Sequence, residues 1–318
     1  MKSLKKVIID CDPGMDDSLA LILALKSDKL SIEGVTTVAG NYPIEVTSVN
    51  ALKIMELMGR TDIPVAKGMG KPLVRDLASD PFSHGSDGQA EVHLPEPVTP
   101  LYHGHAIDLI VEKVKQYPGE MHLIALGPLT NIAMAMMKAP EIVPMIASIT
   151  AIAGSYGLNK YSTANATGDN PQSEWNVYVD PEAAEMIFKS GVPLQAIGLD
   201  VSTHFDVNFT EAELLELEAS PRAEADVLRR MISFVVGRGF ESYCVLIDSM
   251  AVAAVIDPTL VQYITAKVGV ETQGKLTLGM TVMDSRHHHV WNDLPDVQVA
   301  CEADYRRFLK LVMTSVLA

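Results

Sequence analysis

Four aspartates, Asp10, Asp12, Asp16 and Asp17, fall within eight positions of VIIDCDPGMDDSLALILAL (7–25), between an apolar strand and an apolar helix. Like charges this close repel one another, and burying them unpaired is costly, so a cation is their natural companion. Asp10 and Asp12 stand at i and i+2, a spacing that turns both side chains to one side at a strand end. Asp16 and Asp17 open the helix, where the dipole favours carboxylates. A helix cap with solvated neighbours accounts for one or two of these charges but not all of them. An EF-hand loop does not fit, because the twelfth position from Asp10 is Leu21 where that loop needs glutamate. Neither the dinucleotide nor the Walker glycine spacing is present. A DxD phosphatase, with Asp10 as nucleophile and Mg²⁺ nearby, is a competitor. Its pattern runs DxDG[TV], whereas this chain reads Asp10-Cys11-Asp12-Pro13-Gly14.

The elements that position these residues alternate along the chain. KKVIID (5–10), IEGVTTVAG (32–40), HLIALG (122–127) and SITAIAG (148–154) read as strands. DDSLALILALKS, VTSVNALKIMELMG (46–59) and LTNIAMAMMKA (129–139) read as helices. Apolar strands each followed by a helix indicate parallel βαβ units. The expected fold is α/β, a mostly parallel central sheet flanked by helices. With no repeat or linker in view, residues 1–318 are expected to form one domain. Residues 71–100 hold Pro72, Pro81, Pro95, Pro97, Pro100, Gly85 and Gly88, so a long irregular segment is expected there, of the kind that serves function. DPEAAEMIFKSG (180–191) reads as a helix and VPLQAIGLDV as a strand. RAEADVLRRMISFVVGRGFESY (222–243) reads as one long helix weakened near Gly237 and Gly239. SMAVAAVID (249–257) is a short helix with Asp248 at its N-cap. KLTLGMTVMD and DVQVAC read as strands, and ADYRRFLKLVMTSV as the closing helix.

The chain has 318 residues, 48% of them hydrophobic, enough for a large core. A net charge of −15 and a pI near 5.0 argue against nucleic acid and anionic membranes as partners. Three scattered cysteines, Cys11, Cys244 and Cys301, make neither a disulfide framework nor a zinc site and suit a reducing cytoplasm. The apolar run before Asp10 is too short for a signal peptide, and no stretch reaches the length of a membrane span. A soluble cytoplasmic protein is expected.

The run DxDPGxDD resembles the signature of the inosine–uridine-preferring nucleoside hydrolases. TTVAGN (36–41), ALGPLTNIA (125–133), EWNVYVDPEAA (174–184), GLDV (198–201) and IDSMAVA (247–253) follow in that family's order. The resemblance implies an enzyme that splits a ribonucleoside into ribose and free base, with a metal-bound water as nucleophile. It implies Ca²⁺ held by Asp12, Asp17, the carbonyl of Leu126 and Asp248, with Asp12 as general base and Asp10 supporting the loop. It also implies that Asp16, Asn41, Glu174 and Asn176 hold the ribose hydroxyls. A homodimer or homotetramer acting on a small nucleoside is the expected assembly. A hard ion with six to eight oxygen ligands suits such a donor set, leaving room for water and two sugar hydroxyls. Carboxylates near the sugar favour the positive charge of an oxocarbenium-like transition state. Glu174 and Asn176, again i and i+2, are expected on an extended segment facing one pocket.

Three features depart from the family pattern. Many members carry histidine before the distal aspartate, read as the acid that protonates the leaving base, whereas this chain has Ile247, which cannot donate a proton. Other members stack the base between tryptophans, but neither Trp175 nor Trp291 occupies such a position. His84, in SHGSDG, and Phe240 and Tyr243, before Asp248, are the remaining base-pocket candidates together with Ile247. Gly168 stands where an asparagine commonly binds the ribose 5′-hydroxyl, and Asn170 is a candidate substitute. A homologue that kept the sugar site but lost the acid would bind nucleosides or cleave only activated ones. His287, His288 and His289 are expected in a solvated loop.

Overall fold

A computed structural model describes residues 4–78, 80, 82–288 and 290–318. Residues 1–3, Pro81 in the irregular segment and His289 lie outside the described residues. The strands are β1 Lys5–Cys11, β2 Leu30–Thr37, β3 Val65–Lys67, β4 Met121–Ala125, β5 Ile146–Ile152, β6 Leu194–Ile197, β7 Val261–Val270, β8 Thr281–Asp284 and β9 Val297–Ala303. They form one sheet in the order β3-β2-β1-β4-β5-β6-β9-β7-β8. All pairings from β3 to β9 are parallel, and β7 runs antiparallel to both β9 and β8. The expected α/β class with a mostly parallel sheet is therefore the observed one.

Strand order reverses between β1 and β4: the chain moves from β1 outward to β2 and β3, then returns to place β4 on the other side. In open α/β sheets such a switch point leaves a crevice beyond the C-terminal strand ends. Val7 to Cys11 of β1 are all buried, as a strand covered on both faces requires. The helix Met15–Lys26 is buried from Met15 through Ala24 and packs on the helices Ser249–Ile256 and Tyr305–Leu317. It is buried on every side, so its N-terminus is held at a fixed place over the crevice.

Several expected elements change their bounds. The stretch 222–243 is a helix only over Ala223–Gly237; Gly239 has φ +84° and a 3₁₀ turn, Ser242–Val245, follows. Phe240 and Tyr243 therefore leave the helix, and the chain turns them toward the crevice. VPLQAIGLDV is a strand only to Ile197, then a helical turn Leu199–Ser202. Strand β7 and the helices Ala106–Gln116 and Glu211–Ala219 have no counterpart in the sequence expectation. Between Lys67 and Ala106 no helix or strand occurs among the described residues, as the prolines imply. That segment is held by its own side chains: the Asp87 carboxylate accepts from the backbone N–H groups of Gln89, Glu91 and His93. Arg238 anchors it from outside, donating to the carbonyls of Phe82 and Ser83.

Candidate active site

At the end of β1, Asp10 pairs across the sheet with Thr36 on β2 and Ala125 on β4. Its Oδ1 accepts from Thr36 Oγ1 at 2.5 Å and Asn131 Nδ2 at 2.8 Å. Asn131 also donates to the Thr37 carbonyl, so Asp10 ties β1, β2 and the helix Thr130–Lys138 together. Burial raises its carboxyl to about 7.

The next turn is closed by Asp17, which reaches back from the helix. Its two oxygens accept from the backbone N–H groups of Asp12 and Gly14, both at 3.0 Å. Asp12 is fully buried; its Oδ2 accepts from the Asn41 backbone N–H at 2.6 Å, while its Oδ1 is buried without a partner. Asn41 also donates its side-chain amide to Asp17 at 3.3 Å. Asp16 Oδ1 is likewise buried and unpartnered. Asp248 stands at the N-cap of Ser249–Ile256, as expected, but its side chain makes no capping bond.

Carboxylate oxygens of Asp16, Asp17 and Asp248 come within 4.8 Å of one another. Burial pushes the carboxyls of Asp12, Asp16 and Asp248 well above the usual range. Asp17 adds to the shift of Asp12 and of Asp16, while Asp16, Asp17 and Asp12 add to that of Asp248. Asp10, Asp12 and Asp16 each keep one buried oxygen without a partner, and the group Asp16, Asp17 and Asp248 has the oxygen chemistry of a donor set for a hard divalent cation. The Leu126 carbonyl, at the end of β4, faces the same space and accepts from Asn176 Nδ2 at 2.6 Å.

Above this cluster lies a cavity of about 270 Å³. Asp16, Asn41, Leu126, Asp248, Glu174 and Asn176 line it, whereas Asp12 and Asp17 are fully buried and do not. The segment 174–176 is not extended as expected. Glu174 caps the short helix Trp175–Val179, and Asn176 lies within it. Both still line the cavity, because the Glu174 carboxylate folds over the first turn. Its Oε1 accepts from Asn176 N–H at 2.7 Å, and its Oε2 from Gly154 and Val177, each at 3.1 Å. Burial raises Glu174 to about 7 despite these bonds.

His84, Phe240, Tyr243, Cys244 and Ile247 also line the cavity. His84 Nδ1 accepts from the Met15 N–H at 3.2 Å, which assigns the proton of the neutral ring to Nε2. Burial lowers the His84 pKa, which favours the neutral ring, and the same Nδ1 lies 3.8 Å from Asp16 Oδ1.

The family model for inosine-uridine preferring nucleoside hydrolase matches residues 7–310. The chain belongs to that family. The pyrimidine-specific ribonucleoside hydrolase RihA of Klebsiella pneumoniae is 35% identical over 312 residues, with 96% of each chain covered. The Enterobacter enzyme of the same description is 36% identical over 310 residues, again with 96% coverage of both. Among solved structures, a plant nucleoside hydrolase superposes with a TM-score of 0.89 at 32% identity, covering 99% of this chain and 100% of that one. A purine-preferring ribonucleoside hydrolase from Gardnerella vaginalis gives 0.86 at 32% identity, covering 98% of each. This nucleoside hydrolase thus cleaves the N-glycosidic bond of ribonucleosides, and the DxD phosphatase is left without support.

The nucleoside hydrolase keeps its departures in three dimensions. Ile247, which has no proton to donate, lines the cavity. At Gly168 a Cβ would stand 2.5 Å from Ser173 Oγ and 2.8 Å from Tyr178 Cβ, so no larger residue fits this turn. Asn170 does not replace it: its amide donates to the Leu278 carbonyl at 2.9 Å and its oxygen accepts from Gln172 N–H at 2.9 Å. Asn170 is not among the residues that line the cavity. His287 and His288 are exposed, as a solvated loop implies. Thr36 and Asn131, which fix Asp10, were present in TTVAGN and ALGPLTNIA, yet only sheet register shows what they hold. Among the described residues no helix is long and apolar enough to cross a membrane.

Asp12 is also hemmed in by glycine. A Cβ on Gly40 or on Gly127 would run into its carboxylate. Gly127→Ala is expected to destabilise the protein by ~1–3 kcal/mol through overpacking. By displacing a candidate ligand it lowers kcat/KM by roughly 10- to 100-fold. Thermal melting and steady-state kinetics on the same preparation check both effects.

Proposed function

We propose that this nucleoside hydrolase is Ca²⁺-dependent and that its reaction is run by the residues gathered at the switch point. One observation supports this above others. Asp16, Asp17 and Asp248 bring carboxylate oxygens within 4.8 Å of one another, Asp16 and Asp248 line the cavity that Glu174 and Asn176 also line, and Asp12, with its Oδ1 unpartnered, is hydrogen-bonded to Asn41 of that lining. Asp12, Asp17, Asp248 and the Leu126 carbonyl are the proposed ligands, a set of hard oxygens suited to Ca²⁺. A hard divalent ion held by these residues would supply the positive charge that keeps the carboxylates ionised and would lower the pKa of a water beside it.

Asp12 then removes the proton of the attacking water through its unpartnered Oδ1. Asp16, Asn41, Glu174 and Asn176 hold the ribose hydroxyls. Asn176 spends its amide on the carbonyls of Leu126 and Ile152, which leaves Oδ1 as its acceptor toward the sugar. Glu174 is pinned by three backbone N–H groups, so its charge stays in place as positive charge builds on the sugar ring. His84, Phe240, Tyr243 and Ile247 form the base pocket, with His84 as the neutral donor to the leaving base. The three free cysteines agree with a reducing cytoplasm.

Ile247 favours a second reading, in which the sugar chemistry persists but activation of the base is lost. Incubation with CaCl₂ and inosine, adenosine, uridine, cytidine or 4-nitrophenyl β-D-ribofuranoside, followed by a reducing-sugar assay, separates the outcomes. Ribose from any nucleoside is the expected result. Release from the nitrophenyl riboside alone establishes the second reading, and release from none refutes hydrolysis.

A further inference from the structure

We propose that Arg238 is a positioning residue for the reaction: its guanidinium ties the strap 82–85 to the end of the helix Ala223–Gly237 and so sets the aim of the His84 ring. The inference rests on the reading in which His84 serves the leaving base, and it involves no contact between Arg238 and substrate. Phe82 is 73% exposed and Ser83 is exposed as well, so this stretch buries little apolar surface that could hold it in place. One residue on, His84 is buried and lines the cavity. Arg238 supplies what burial does not. Its Nη1 donates to the carbonyls of Phe82 and Ser83. Its guanidinium lies over the rings of Phe82 and Phe234, 5.2 and 5.0 Å from their centroids. Stacking on aromatic rings while donating from the edge is a geometry that a planar guanidinium allows and an ammonium does not.

The tie runs to a fixed element. Phe234 sits within the helix and packs against the core, and the Arg238 backbone N–H closes the helix end on the carbonyls of Val235 and Val236. Val235 and Phe240, on either side of Arg238 in sequence, line the cavity with His84, so the guanidinium joins two of its walls. The ring that the strap carries has little freedom. Its Nδ1 accepts from the Met15 N–H, and a Cβ on Gly14 would stand 2.5 Å from that nitrogen. The His84 carbonyl accepts from the Ala90 N–H at 2.7 Å, and the Gly85 carbonyl from the Tyr42 hydroxyl. Releasing the strap at Phe82 and Ser83 frees the backbone just before His84, which loosens the bond to Met15 and turns Nε2. Misplacing a reacting group by about 1 Å costs on the order of 10² in rate.

The test is a double-variant cycle read on two leaving groups. Arg238→Ala lowers kcat/KM on the best ribonucleoside roughly 10- to 100-fold, but less than about twofold on 4-nitrophenyl β-D-ribofuranoside, whose leaving group needs no proton. In a His84→Ala background the same change costs less than about twofold on the ribonucleoside, because a residue that acts through His84 has nothing left to act on. Arg238→Lys keeps a cation but not the planar fork; it shows the same pattern at smaller size and serves should Arg238→Ala fail to fold. Equal losses on both substrates, or additive losses in the double variant, overturn the proposal. Amide exchange followed by NMR with ¹⁵N-methionine labelling reads the aim of His84 without turnover. Arg238→Ala speeds exchange at Met15 about tenfold and leaves Met136, on the helix Thr130–Lys138, unchanged. An unchanged Met15 rate overturns the positioning role, even where no nucleoside is cleaved. Failure of every riboside to be cleaved refutes the activity instead, and the Met15 amide still decides the role of Arg238.

Discussion

Replacing Asp12 by asparagine lowers kcat/KM on the best ribonucleoside by roughly 10³- to 10⁴-fold, the range expected when a general base is lost. The substitution is nearly isosteric, and the asparagine oxygen still accepts the Asn41 N–H that Asp12 Oδ2 holds at 2.6 Å. The fold is therefore retained. Without added cation the variant melts at a higher temperature than wild type. One charge has left a group of buried acids whose carboxyls burial and mutual repulsion hold well above their usual range. Opposite signs for stability and activity separate a chemical role from a structural one. Melting curves with and without CaCl₂, alongside kinetics, supply both measurements. A variant within tenfold of wild-type activity removes Asp12 from the mechanism.

The second large effect is the exchange of protons for cation. Carboxyls of Asp12, Asp16 and Asp248 have folded pKa values raised above the ordinary 3.8. Such groups bind protons more tightly when folded, so their contribution to stability is complete below the unfolded pKa. It is lost as pH rises through the folded values. Glu174 and Asp10, raised to about 7, act in the same direction through neutral pH. The cation-free protein is thus expected to lose stability as pH rises through about 7, where Glu174 and Asp10 titrate, while Ca²⁺ binds more tightly as these acids ionise. At a hundred times its dissociation constant the ion restores ~2.7 kcal/mol. Calorimetric titration in two buffers of different ionisation enthalpy at pH 7 is expected to show at least one proton released per ion. Binding without proton release, and a melting shift that is the same on both sides of neutral pH, would dissolve the proposed ligand cluster.

Much of the catalytic half of this site was legible in the chain. Asp12, Asp16 and Asp17 sit in one turn between a buried strand and a buried helix, so their proximity is a local fact. Distant partners were legible where a motif accompanied them: Asp248 in IDSMAVA and Glu174 in EWNVYVD line the same cavity as Asp16. Local conformation was harder. Glu174 to Asn176 reads as extended because spacing of two fits a strand, yet the Glu174 carboxylate caps a short helix and brings both side chains to the wall by another route. The stretch 222–243 has helical periodicity throughout, but the helix stops at Gly237 and Gly239 adopts φ +84°, which brings Phe240 and Tyr243 to the cavity.

What sequence order settles here is the family, the α/β architecture and the set of acids, because each depends on patterns within short windows or on motifs in a fixed succession. The tertiary structure alone decides how those acids differ. Sheet register pairs Asp10 with Thr36 and ties one of its oxygens to that hydroxyl and to Asn131, whereas Asp12, two residues on, is held by the backbone of Asn41; each keeps its other oxygen without a partner. Only packing shows that Gly168 has no room for a side chain and that Asn170 is engaged in its own turn. Whether a polar atom has a partner depends on chain segments far apart in sequence. The physical cost of leaving one unpaired appears only once those segments have met.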